Sequence, residues 1–154
     1  MLLIKRQTRR GKRDKHPILS LYYVNINGFK SKSLSLENII LSLDKPDVVV
    51  LCEIKTVSPP VIKTFFEKMG YDVILKRSAG LLVAAKTKFD MVDTTSTSHE
   101  NILTGSLKVG GTYISITAVY GLQETEDSDT RSAFYDELGV ELFFVFVFVF
   151  TNPL

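Results

Sequence analysis

The alternation of apolar and polar residues divides most of this chain into short segments. "HPILSLYYVNINGF" predicts a strand from about Ile18 to Val24, closed by the turn signal Asn27-Gly28. "SLSLENIILSLDKPD" carries Leu36, Ile39, Ile40 and Leu43 at helical spacing, with Ser33 or Ser35 as N-cap and Pro46 as the stop. Val48 to Cys52 are five apolar residues in a row ahead of Glu53, which suits a strand buried on both faces. A second helix is expected from Pro59 or Pro60, burying Ile62, Phe65, Phe66 and Met69 and ending at Gly70. "YDVILK" and "GLLVAAK" read as two more strands.

The clearest hairpin is "ILTGSLKVGGTYISITAVY", because Gly110-Gly111 can supply the positive φ angles of a two-residue turn. Its second strand ends on Tyr120. "SDTRSAFYDELGVEL" predicts a third helix, capped by Ser128 or Asp129, with Ala133, Phe134 and Leu138 on one face. Beyond it the pattern changes abruptly, since Leu142 to Phe150 is uninterrupted apolar sequence holding five of the ten phenylalanines. Nine residues fall well short of the ~20 that span a membrane as a helix, so the run is expected to be a strand.

At 154 residues, 45% hydrophobic and 23% charged, the chain is long and apolar enough for one packed domain and needs no second. Charge divides it differently. Seven of the 19 basic residues lie within Met1–His16 against the single acid Asp14, a local charge of +6, and the remaining 12 basic and 16 acidic residues leave the body near −4. Residues 1–17 are therefore expected to form a basic, disordered leader. Such an arm attracts phosphates without fixed geometry, or serves as a nuclear-import signal, and it lacks any aromatic platform for stacking bases. Cys52 is the only cysteine, so no intrachain disulfide is available and an intracellular, reducing compartment is expected. "MLLI" is too short for a signal-peptide core, and no membrane association is expected.

Several site types are excluded outright. The chain has no Gly-rich phosphate loop ending in Gly-Lys-Ser/Thr, no dinucleotide fingerprint and no cysteine or histidine cluster spaced for zinc. His16 and His99 lie in polar surroundings and read as solvated surface residues. What remains is a set of polar groups at predicted strand ends: Asn25, Asn27, Glu53 and Tyr120. Taken singly, Asn27 is a turn former, Glu53 a solvated strand end and Tyr120 a half-buried aromatic. Were their strands neighbours, the carboxylate, amides and phenol would converge on a place able to hold a divalent cation and a phosphate.

The ordered series "YYVNINGF", helix, "KPDVVVLCE", "SAGLLVAAKTKF" and "YISITAVYG" resembles the endonuclease/exonuclease/phosphatase superfamily. More narrowly, it is similar to the apurinic-type endonuclease domain of non-LTR retrotransposon reverse-transcriptase proteins. The resemblance covers about residues 19 to 142. It implies an α+β fold, a DNase I-like four-layer α/β/β/α sandwich present here in part over residues 18–141, with 142–154 as an aberrant Phe/Val-rich tail. It also implies phosphodiester hydrolysis with Mg²⁺, or Mn²⁺ in its place, and a DNA target. On this resemblance Asn25 organises the site, contacts the scissile phosphate and joins Glu53 at the metal, Glu53 is the metal ligand, and Tyr120 hydrogen-bonds the phosphate. Asn27 belongs to the turn.

The chain departs from that pattern in three places. Gly121-Leu122 stands where the family has Ala-Pro after the tyrosine. Neither the Gly-Asp-x-Asn nor the Ser-Asp-His motif occurs; the tail ends "FTNPL". The resemblance thus implies a domain truncated at its C-terminus, weak or inactive for want of its general base and histidine, since general-base action alone contributes ~10² to 10⁴-fold. It further implies that much of the second sheet is missing and one face of the first lies uncovered. The alternatives are a non-catalytic nucleic-acid-binding module that works through the basic arm, and a phosphatase-type member of the same superfamily.

Overall fold

The structure, a computed structural model, describes residues 2–4, 19–55, 57–78, 80–96, 99–122, 126–141 and 145–150. Residues 5–17 of the expected leader, His16 among them, and tail residues 142–144 and 151–154 lie outside them; Leu2–Ile4, counted within that disordered leader, are instead a strand, because they pair with Leu19–Leu21. Strands β1 (Leu2–Ile4), β2 (Leu19–Asn25), β3 (Val48–Cys52), β4 (Tyr71–Lys76) and β5 (Leu81–Lys86) form one sheet in the order β1-β2-β3-β5-β4. β2 and β3 run parallel, joined by helix α1 (Phe29–Ser42), and the other pairs are antiparallel. A parallel pair needs such a crossover, whereas a hairpin does not.

Strands β6 (Val92–Asp93), β7 (Ile102–Val109), β8 (Thr112–Tyr120) and β9 (Val145–Phe150) form a second sheet in that order. The β7–β8 turn is Gly110-Gly111 with φ of 55° and 80°, the positive angles that the sequence demanded there. β9 lies parallel to β8, with Phe148 in register beside Ala118. Helix α2 (Pro59–Glu67) packs on the first sheet and helix α3 (Ser128–Glu141) on the second.

The expectation of a largely missing second sheet and an uncovered face is corrected here. Alternation within β3 shows why. Val48, Val50 and Cys52 face the other sheet and pack with Leu103, Leu107, Ile116 and Ala118, while Val49 and Leu51 face α1 and α2 and meet Leu36, Ile40, Ile62 and Phe66. Every residue of β3 is fully buried, as an uninterrupted apolar run requires. Ile102 and Val119, on the far side of the second sheet, meet Phe134 and Leu138 of α3. Four layers result, α/β/β/α, all built from residues of this chain.

Three local expectations shift. Helix α1 starts at Phe29, preceded by Gly28 at φ 104° with no side-chain cap, not at a serine cap at 33 or 35. Tertiary contacts set that start: the Phe29 ring is buried and its N–H donates to the Ile54 carbonyl. The cap of α3 is Asp127, not Ser128 or Asp129; its Oδ1 accepts the N–H groups of Asp129 and Thr130 at 3.0 and 2.8 Å. Ala133 is exposed, so the buried stripe of α3 is Phe134 and Leu138.

Asp47 clasps one end of the first sheet. Its Oδ2 accepts from the Ser20 N–H and hydroxyl, both at 3.1 Å, and its Oδ1 lies 3.2 Å from Lys86 Nζ and 3.3 Å from Lys88 Nζ. Burial by itself would raise the carboxyl's pKa, but the bonds from Ser20, Lys86 and Lys88 outweigh it and hold the group below its ordinary value. A carboxylate held low when folded contributes stability above its unfolded pKa and loses it as pH falls through the folded value. Asp47→Asn is therefore expected to lower stability by about 1–3 kcal/mol at pH 7, and to flatten the fall below about pH 4. Urea unfolding of both proteins from pH 7 to pH 3 measures this; parallel curves would exclude a role for this carboxylate in the acid limb.

Candidate active site

β2 and β3 are parallel, so Asn25 and Glu53 leave the same end of the first sheet, and Tyr120 ends β8 in the second sheet. The structure brings the three together on one atom. Glu53 Oε1 accepts from Asn25 Nδ2 at 2.7 Å and from the Tyr120 hydroxyl at 2.8 Å. Both lengths suit hydrogen bonds assisted by the carboxylate's charge. Glu53 and Tyr120 are half-buried and Asn25 is exposed, so the cluster stands at the rim of the sandwich, open to solvent.

A backbone irregularity makes this meeting possible. In the sheet Asn25 is registered beside Cys52, 27 positions on, yet its side chain bonds Glu53, 28 positions on. Glu53 adopts φ 54°, a left-handed angle uncommon outside glycine. That turn swings the carboxylate back over the end of β2. Neighbouring backbone bonds hold it there: Gly28 N–H donates to Glu53 O at 2.8 Å, and Ile54 N–H to Gly80 O at 3.1 Å. Strain of this kind, about 1–3 kcal/mol per residue, persists where the surroundings over-determine it.

The second carboxylate oxygen, Oε2, meets no hydrogen-bond donor among the described residues. A doubly clamped Oε1 beside an open Oε2 offers one anionic oxygen. Asn25 Oδ1 accepts the Asn27 N–H at 3.0 Å, which fixes the amide with its NH₂ toward Glu53. No group of three or more His, Cys, Asp or Glu occurs among the described residues. That donor set fits Mg²⁺, which keeps several waters and uses one or two carboxylates, and does not fit zinc.

Asn27 is the turn residue expected, at φ 45°, and its Oδ1 also accepts from Lys55 Nζ. Lys55, itself left-handed at φ 53°, is a site residue the sequence did not single out. Gly80 is another: at φ 63°, a Cβ placed there would stand 3.1 Å from Ile54 N. Cys52, next to the carboxylate, is no nucleophile. Burial first, and the Glu53 charge second, push its thiol up to about 12.

His99 is not the solvated residue expected. It stacks edge-on against Phe134 at 4.8 Å, its backbone N–H donates to Glu137 Oε2, and its Nδ1 accepts from Asn101 N–H, so it belongs to the seam between α3 and the second sheet. No helix among the described residues is long and apolar enough to cross a membrane.

No protein-family model matches the sequence, and no curated protein sequence does. Solved structures do. A 3'-5' exonuclease (NExo) from Neisseria meningitidis superposes with a TM-score of 0.63 at 12% identity, over 87% of this chain and 58% of that one. The endonuclease domain of TRAS1, a telomere-specific non-LTR retrotransposon, gives 0.62 at 8% identity, over 85% and 57%. An AP endonuclease from Archaeoglobus fulgidus gives 0.58 at 19% identity, over 80% and 51%. The chain thus has a DNase I-like fold, and spans a little over half the length of these structures.

Proposed function

We propose that this chain is part of a divalent-metal-dependent phosphodiesterase acting on DNA, of the endonuclease type carried by non-LTR retroelements. The observation that carries the reading is the Glu53 carboxylate, clamped through one oxygen by groups from two sheets and open at the other. Glu53 would hold Mg²⁺ or Mn²⁺, with Asn25 beside it. Bound there, the cation would neutralise charge on a phosphate oxygen. The chain's own groups do the positioning: Tyr120 and Asn25 hold Oε1, and Oε2, with no donor among the described residues, is left to meet the cation. The retroelement type rests on the sequence resemblance and on the short turn after β2, while the fold is shared alike by the TRAS1 endonuclease domain, an exonuclease and an AP endonuclease.

By itself the chain is proposed to be weak or inactive. It carries no Gly-Asp-x-Asn or Ser-Asp-His motif, and the described residues offer Glu53 no second carboxylate or histidine cluster. The metal half of the reading is testable without turnover. Substoichiometric Mn²⁺ should broaden the NMR signals of Asn25 and Tyr120 in the wild type and leave them sharp in Glu53→Ala. Equal broadening in both proteins would overturn the assignment. Plasmid nicking with Mg²⁺ tests the other half: vigorous, Glu53-dependent nicking would show that the weak-activity reading is wrong. Release of phosphate from a 3'-phosphorylated oligonucleotide without nicking would favour the phosphatase-type alternative.

A further inference from the structure

Two side-chain pairs cross from the end of β2 and the turn after it to the loop after β3, and both span 28 positions: Asn25 to Glu53, and Asn27 to Lys55. The first builds the clamp on the carboxylate. In the second, Lys55 bonds Asn27 and not the clamp itself. Yet Asn27 is what orients Asn25, because the Asn27 N–H donates to Asn25 Oδ1 and so decides which end of that amide faces Glu53. An Asn25 flipped by 180° would present its oxygen to the Glu53 carboxylate and repel it.

The Asn27 N–H belongs to the peptide that joins Ile26 to Asn27, so it reaches Asn25 Oδ1 only while that peptide and the Asn27 Cα stay in place. Backbone bonds anchor its neighbours and leave it out: Ile26 N–H donates to Cys52 O and Gly28 N–H to Glu53 O, whereas the Asn27 N–H goes to a side chain. What ties Asn27 itself to the β3 loop is its side-chain oxygen, held by Lys55 Nζ. Lys55 is in turn left-handed at φ 53°, which aims an exposed lysine back across the gap instead of out into solvent. An unconstrained surface lysine has no reason to adopt a costly backbone angle and a fixed partner.

We infer that Lys55 is a positioning residue: through Asn27 it locks the Asn25 amide with its NH₂ toward Glu53, and so presents the Glu53 carboxylate to the cation. The lock itself is a property of the metal-free protein. Its consequence for the cation rests on the reading of Glu53 as the metal ligand. Groups that orient a ligand typically change metal affinity or activity by ~10- to 100-fold when removed.

Simple electrostatics gives the opposite sign. Removing a lysine charge near a cation site relieves repulsion and tightens cation binding, so the direction of the change separates positioning from charge. In Lys55→Met, Mn²⁺ affinity is expected to fall about 10-fold. Lys55→Arg should retain most of the wild-type affinity. Asn27→Ala should reproduce the loss, and the double variant should add little to either single one, as for residues acting in one chain of contacts. Without metal, the two side-chain N–H signals of Asn25 should shift in Lys55→Met and Asn27→Ala alike and stay in place in Lys55→Arg. Unmoved Asn25 signals in Lys55→Met, or an Mn²⁺ affinity that rises, would overturn the inference. Lys55-dependent Asn25 signals in a wild type that binds no Mn²⁺ would overturn instead the reading of Glu53, leaving the lock standing.

Discussion

Phe66→Ala is expected to destabilise the protein by about 3–5 kcal/mol, the range for emptying a fully buried phenylalanine site. Phe66 has no exposed surface, and its ring lies 5.1 Å from Phe65, 6.0 Å from Tyr71 and 6.4 Å from Phe29. These rings are rigid neighbours anchored on three elements: Phe29 begins α1, Phe65 is on α2, and Tyr71 starts β4, its hydroxyl bonded to the Pro46 carbonyl at 2.6 Å. They cannot collapse into the gap, so the cavity term adds to the lost transfer energy. For a domain whose whole stability is about 5–15 kcal/mol, the loss is a large fraction of the total. Thermal unfolding should show a midpoint on the order of 10 °C lower. A fall of under 1 kcal/mol would mean that this aromatic cluster does not hold α1 and α2 to the first sheet.

Gly80→Ala should damage stability and the site together. The added methyl meets two obstacles. At φ 63° an L-residue is disfavoured by roughly 1–2 kcal/mol. Its Cβ would also stand 3.1 Å from Ile54 N and 3.4 Å from Glu53 Cα, both of them backbone atoms that cannot rotate away. Relief requires the two loops to separate, which lengthens the Ile54 N–H bond to Gly80 O and carries Glu53 off its partners. Mn²⁺ broadening around Glu53 is therefore expected to weaken at least as much as in the Lys55 variant, together with a loss of about 2 kcal/mol by urea unfolding. Full stability with full Mn²⁺ binding would show that this close approach does not position the carboxylate.

The two substitutions differ in how far the sequence announces them. The burial of Phe66 is legible from its helical spacing with Ile62, and the both-faced burial of β3 from its unbroken apolar run. The need for Gly80 is not: in "RSAGLLVAAK" it reads as an ordinary turn glycine, and only the approach of the Glu53 loop shows why a methyl is excluded. His99 misled for the same reason, since its polar neighbours in sequence say nothing of Phe134, which reaches it from a helix 35 positions on.

Periodicity and turn chemistry are local, so the chain by itself determined its longer strands but not β1 or β6, the Gly110-Gly111 hairpin, and Asn25, Glu53 and Tyr120 as polar groups at strand ends. Tertiary structure decided what those groups do. The start of α1 at Phe29, the second sheet that closes the core, the left-handed turn at Glu53 and the Lys55–Asn27 tie all depend on partners far along the chain, and Tyr120 stands 67 positions from the carboxylate it bonds. No window of residues encodes such contacts. They form because burying both faces of the first sheet brings the strand ends together, and there one carboxylate oxygen is held while the other stays open.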